Sequence, residues 1–413
     1  MNTIVLSFGL AALLSQAPAE PVAPSSVKLT LLPFATLSGD VPSRAGTKAA
    51  GMLATEFKSA ESAQIVDPKK AGKEGDGAAE ALAAARKAVD EAKDLRKKRK
   101  FRLAEEALTR ALSTFREKAA AVTDIAEVVD AYALLSAIEF NTGRDEAGQK
   151  SLSTALGLSP DRDLPLAATS PLFSKVVADA RKVVKDSAKA TVQLESTPSG
   201  AVFLDGLPVG STPLLVKDVP VGVHFWRIAL PSGETLGGTL EASAGKPTKV
   251  SAVSNTKDPQ ARVLSALSQN KLDADLVAGA KEQLALAQAD WLVVGALSKE
   301  GRGLALDAFL FTGKEGQLRR LPRLQFDTEL LSAGVEFYNL AGIVAQKGAQ
   351  AGEPVKVPAA VSDKISGAVK LAEVKYGVSA NKEAADVAIE PEPTKDTGPR
   401  KPLEKVRTPL KKQ

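Results

Sequence analysis

The stretch TVQLESTPSGAVFLDGLPVGSTPLLVKDVPVGVHFWRIALPSGETLGGTLEASAGKPTKVSAV, from Thr191 to Val253, decides how the rest of the chain is read. Short β-branched and aromatic runs alternate in it with turn signals at nearly regular spacing, the pattern of a small all-β sandwich. Val192 and Leu194 alternate with Gln193 and Glu195, as a half-buried strand requires. Turns are expected at Pro198-Ser199-Gly200, at Asp205-Gly206 and at Gly210-Ser211-Thr212-Pro213. Pro220-Val221-Gly222 then leads into a strand that places His224, Trp226, Ile228 and Leu230 on one face.

The order and spacing of PSGA (Pro198 to Ala201), VFLDG (Val202 to Gly206), GSTP (Gly210 to Pro213) and the G-x-H of Gly222 to His224 resemble a PEGA domain. Ser199 stands where the namesake motif has glutamate, a mild departure because the turn needs the proline and glycine more than the acid. The resemblance implies a β-sandwich module over residues 191–254, of a kind found mainly in bacterial envelope and surface proteins. Pro198, Gly200, Ala201, Asp205, Gly206, Gly210, Thr212, Pro213, Gly222 and His224 are its structural motif positions.

Upstream, residues 78–190 are rich in Ala, Leu, Lys and Glu and carry helical periodicity. Two related stretches occur there, AEEALTRAL from Ala104 and GQKSLSTAL from Gly148, so that Ala104, Leu108 and Ala111 correspond to Gly148, Leu152 and Ala155. Small residues at these places allow close helix approach, and leucines fill the groove between. The region resembles degenerate tetratricopeptide repeats, a family that binds protein segments in a concave groove; an ordinary helical bundle is the other reading. Ala104, Leu108, Ala111, Leu152 and Ala155 are the residues that the resemblance marks for protein binding.

The flanks read as α/β. VKLTLLPF from Val27 is an apolar strand, a helical face runs through Ala49, Leu53 and Phe57, and Ala63 to Val66 is a second strand. Helices follow after Asn255, then a strand from Trp291, a turn at Gly301-Arg302-Gly303, a strand from Leu304 to Phe311, and a closing helix over 330–345. QADWLVVGALSKEGRGLALDAFLF, together with the early strands, resembles the TolB amino-terminal-like α/β domain. That resemblance implies one α/β domain split between residues 20–67 and 259–348, with residues 68–77 as linker. The expected fold class is multidomain α+β: a split α/β domain, an inserted α-helical, repeat-like region and a small all-β sandwich.

Both ends carry separate signals. Thr3 to Leu14 is apolar but too short to span a bilayer, and Ala17-Pro18-Ala19 offers small residues for cleavage, so residues 1–19 are expected to be an export signal. No later run approaches 18 apolar residues, so no transmembrane span is expected in the mature chain. Residues 349–413 are expected to be a Pro/Lys-rich, largely disordered tail. Its last 14 residues hold six Lys or Arg against one acid, which accounts for the whole net charge of +5. Weak contact of this tail with anionic envelope components is expected, and nucleic-acid binding is not.

Chemistry is sparse. The 413 residues include no cysteine and one histidine, which removes disulfides, thiolate nucleophiles and multi-histidine metal sites. A hydrolase would have to use His224 as general base, with a carboxylate such as Asp205 orienting it. The structural expectation is a turn-adjacent core histidine with its ring nitrogens bonded to backbone, and an Asp205 that satisfies amides at its turn. Trp226 and Trp291 are expected in cores, and the basic run Arg96 to Lys100 at a solvated helix end. No enzyme, cofactor or metal is expected. The function expected is an exported scaffold or interaction protein of the cell envelope, with a protein partner bound by the helical region; the alternative is a cell-wall or polysaccharide-binding module centred on the sandwich.

Overall fold

The computed structural model describes residues 27–42, 44–60, 63–68, 77–365 and 371–377. The expected export signal, most of the 68–77 linker and the basic C-terminal segment lie outside the described residues.

The chain opens with β1 (Lys28–Leu31), β2 (Ala35–Thr36), α1 (Ala45–Ser59) and β3 (Gln64–Ile65). Five helices follow: α2 (Ala78–Lys97), α3 (Phe101–Glu117), α4 (Ile125–Asn141), α5 (Asp145–Leu158) and α6 (Pro171–Asp186). Seven strands come next: β4 (Lys189–Thr197), β5 (Ala201–Leu204), β6 (Leu207–Ser211), β7 (Leu214–Pro220), β8 (Gly222–Ala229), β9 (Thr235–Ala242) and β10 (Thr248–Val253). The rest comprises α7 (Pro259–Ser268), β11 (Lys271–Leu272), α8 (Ala274–Ala287), β12 (Trp291–Glu300), β13 (Gly303–Thr312), β14 (Gln317–Arg320), β15 (Leu324–Asp327), α9 (Ala333–Lys347), β16 (Glu353–Pro354), β17 (Ala359–Ala360) and β18 (Ala372–Lys375).

The largest sheet is assembled from both flanks of the chain, in the order β16-β14-β13-β12-β1-β3, with β2 along β12 and β15 along β13. β1 runs parallel to β12, pairing Leu29 with Trp291 and Leu31 with Val293, and parallel to β3 on its other side. Side chains alternate by strand period. Leu29, Leu31, Val293 and Leu310 face a core completed by Leu53 and Phe57 of α1 and Phe337 of α9. Leu292, Val294, Phe309 and Phe311 face Leu264 of α7 and Leu284 of α8 on the opposite side. Burial on both faces is why β12 and β13 read as continuous apolar runs and not as alternating ones.

Helix starts follow local chemistry. Asp124, Ser170, Asp258 and Asp273 cap α4, α6, α7 and α8, each accepting a hydrogen bond from a first-turn amide, and proline opens α6 and α7. α4 is apolar on nearly every face and runs through the middle of the helical region, where Val128, Val129, Leu134 and Ile138 are buried. Ser136 Oγ donates to the Gly148 carbonyl at 2.8 Å, tying α4 to α5.

The sandwich has two four-stranded sheets, β6-β5-β8-β9 and β10-β4-β7-β18. Its last strand corrects the expected boundary at residue 349. β16 extends the large sheet against β14, β17 pairs with β11, and β18 runs parallel to β7 with Ala372 opposite Leu214 and Val374 opposite Val216. Composition pointed to a tail because the apolar residues here are few and spaced. β16 and β18 succeed as strands because each borrows an existing sheet edge, whereas β17 forms a separate two-stranded sheet with β11, and Ala372, Val374 and Tyr376 pack on the sandwich core.

The sandwich also rests on the helices. Phe225 of β8 projects away from the sandwich interior and is buried in the helical core. Gly237 of β9 lies so close to the turn Ala119–Ala121 that an added Cβ would come within 2.5 Å of Ala120 Cα, so only glycine fits there.

Candidate functional site

His224 and Asp205 meet inside the molecule, and both side chains are fully buried. The Asp205-Gly206 turn between β5 and β6 presents the carboxylate to β8, where Oδ1 accepts from the Phe225 amide at 2.8 Å. His224 Nδ1 donates to Asp205 Oδ2 at 2.6 Å, and Nε2 donates to the Pro220 carbonyl at 2.7 Å. The ring therefore bonds one carboxylate and one carbonyl, a correction to the expectation of two backbone partners. Both nitrogens face acceptors, which the imidazolium satisfies and a neutral tautomer does not. Burial pulls the His224 pKa down, but the charge and hydrogen bond of Asp205, with the Pro220 carbonyl, outweigh it and hold the pKa above the ordinary histidine value.

The third member of the cluster comes from the far end of the chain. Tyr376, just past β18, donates its hydroxyl proton to Asp205 Oδ2 at 2.7 Å, and its ring stands edge-on to His224 with centroids 5.9 Å apart. Burial, and then the charge and hydrogen bond of Asp205, push the phenol far above the ordinary tyrosine range. The same hydroxyl lies 3.3 Å from the Leu158 carbonyl at the end of α5. Tyr376 was missed in the sequence because nothing local marks it; only the register of β18 on β7 delivers it. The cluster has the residue types of a general-base pair but no access for a substrate. It locks the sandwich, the helices and the C-terminal strand together.

The other motif positions serve the sandwich in the same way. Thr212 Oγ1 accepts from the Gly200 amide at 3.0 Å and shares a hydrogen bond with Ser196 Oγ at 2.6 Å, which ties the Pro198 turn to the one that Pro213 closes. At Gly200 an added Cβ would meet the Ala229 carbonyl at 2.7 Å. Ala201 pairs with both Ser211 and Ala229 across β5, while Gly210 lies within β6 and Gly222 opens β8. Trp226 is half-buried against Gly238, and Trp291 packs on the core of the large sheet, so neither stands as an open platform for a sugar ring.

The helical positions marked from sequence require a correction. Ala104, Leu108, Ala111, Leu152 and Ala155 are all buried in the helical core, with Leu108 and Leu152 at 0% exposure, because the small and large residues of α3 and α5 pack inward against α4. They hold the helices together and cannot touch a partner. The exposed apolar surface lies instead along α6, where Leu172 is 77% and Val183 66% exposed. A groove of about 490 Å³ opens there between α4, α5 and α6. Phe140, Leu166, Leu172, Phe173 and Val176 form its apolar lining, and Arg96, Asp145 and Gln149 its polar margin. Phe140 and Phe173 meet edge to face with centroids 6.5 Å apart.

Among the described residues no group of His, Cys, Asp and Glu is placed to hold a metal ion, and no helix is long and apolar enough to cross a membrane. Comparison with known families matches residues 189–256 to the PEGA domain, which assigns the sandwich and leaves the larger part of the chain unassigned. Comparison with curated proteins and with solved structures finds no match.

Proposed function

We propose that this chain is an exported, non-enzymatic interaction protein of the bacterial cell envelope, and that its helical region binds an apolar segment of a protein partner. The observation that carries this reading is the groove between α4, α5 and α6, with Leu172 exposed at its edge and Phe140 and Phe173 at its base. An exposed apolar strip beside a preformed groove is the surface an amphipathic segment would cover, with Arg96 and Asp145 as charged contacts at the margin. The tetratricopeptide-like spacing of α3 and α5 supports the same role, because it builds the scaffold that displays α6. The PEGA sandwich and the TolB-like split domain support an envelope setting, in which the basic C-terminal segment adds weak contact with anionic components.

A photo-crosslinking residue placed at Leu172 tests the proposal. In native-source envelope extract it is expected to give a discrete protein adduct, and the same residue at the distant, exposed Val253 is expected not to give it. Identical adducts from both positions, or none from either, contradict the proposal.

A further inference from the structure

A second cavity, of about 530 Å³, lies between the split α/β domain and the sandwich. One wall is the start of α1, with Arg44, Thr47 and Lys48; the other is the outer face of β5, β6 and β8. Phe34, Leu230 and Pro231 give the space an apolar lining, and no described residue that lines it carries a carboxylate.

Three features of this cleft favour an anion. α1 is 15 residues long, has no acid in its first turn, and has Arg44, which offers donors only, at its N-cap position, so its first turn adds donors and a helix dipole but no carboxylate. Lys48 Nζ donates to the Glu329 carbonyl at 2.9 Å, which holds the ammonium near the cleft while two of its three donors remain. The third feature is independent of the helix. Ser211 is only 3% exposed, and its Oγ has no hydrogen-bond partner among the described residues. Ser211 pairs with Ala201, and Ala201 with Ala229, so the three side chains form one cross-strand row; all three line the cleft. Val202, next along β5, points the other way into the sandwich core, which confirms the outward direction of that row. A buried hydroxyl left unpaired carries a cost that a ligand oxygen would remove.

We infer that this cleft binds a small anion with an apolar body, such as an alkyl phosphate or fatty carboxylate, its head group held by Lys48, Arg44, the start of α1 and Ser211 and its body against Leu230 and Pro231.

Isothermal titration of the full chain with octyl phosphate, octanoate and inorganic phosphate, below micelle-forming concentrations, tests this. Saturable binding of octyl phosphate or octanoate is expected, at least tenfold tighter than inorganic phosphate. Arg44→Glu combined with Lys48→Glu should weaken it at least tenfold, and Ala201→Leu should obstruct it. Lys246→Glu, in the exposed β9–β10 turn at the opposite end of β8 from Ala229, should leave it unchanged, with circular dichroism verifying that each variant is folded. Absence of saturable binding by either amphiphile, equal affinity for inorganic phosphate, or binding indifferent to the Arg44/Lys48 reversal in a folded variant overturns the assignment.

Discussion

Asp205 is an acceptor shared by three donors from two distant parts of the chain: it takes hydrogen bonds from His224 and the Phe225 amide of β8 and from Tyr376 beyond β18. A buried carboxylate is tolerable only when so supplied, and removing one donor leaves charge without its partner. Tyr376→Phe is therefore expected to cost about 1.5–3 kcal/mol in urea unfolding, the range for a hydrogen bond to a charged group. The single histidine of the chain adds a pH signature. Its folded pKa lies above the unfolded value, so its contribution to stability is fully present below about pH 6.5 and is lost as pH rises through the folded pKa. Unfolding free energy should fall as pH rises above about 6.5, by at most about 1.4 kcal/mol per pH unit, and His224→Gln should flatten that slope while lowering stability throughout. The pairing of His224 with Asp205 was within reach of the sequence, since both belong to one motif. Its closure was not, because Tyr376 is 171 residues from Asp205 and arrives only through strand pairing.

At the scale of elements, β18 is the least obvious part of the fold. It closes the β7 edge, is joined there by a Lys217–Glu373 ion pair, and positions Tyr376. Truncation after Lys370 should lower the melting temperature and expose the β7 amides opposite β18, within Leu214 to Lys217, to faster hydrogen exchange; truncation after Gly377 should do neither. The contact between β9 and the turn Ala119–Ala121 gives a further test. Gly237→Val forces a side chain against Ala120 and is expected to cost about 1–3 kcal/mol, with hydrogen exchange rising at β8 and β9 where they meet the helices. Strand and helix identities were largely legible, because β12 and β13 are long apolar runs and the Pro198 to His224 motifs fix their own turns. The exposed face of the helical region was not. Periodicity marks which residues of a helix are apolar, and Leu108 and Leu172 look alike on that count; only packing shows that α4 covers the first and nothing described covers the second.

For the whole molecule, the unusual feature is that β1, from near the start of the described chain, lies between β3 and β12. The helical region and sandwich are thus inserted within one sheet, and β18 returns from that sheet's far flank to complete the sandwich. This return path, with Phe225 in the helical core and Tyr376 beside Leu158, holds α6 in a fixed relation to the other parts. The proposed role follows from this frame, which would present the α6 groove to a protein partner. Its most direct test is affinity capture from native-source envelope extract with the intact chain, Leu172→Asp, and the equally exposed but distant Leu331→Asp, with bound proteins and wall glycan quantified in the same eluates. A protein is expected to be retained by the intact chain and by Leu331→Asp and lost with folded Leu172→Asp. Equal retention by all three, or glycan alone in every eluate, would contradict it.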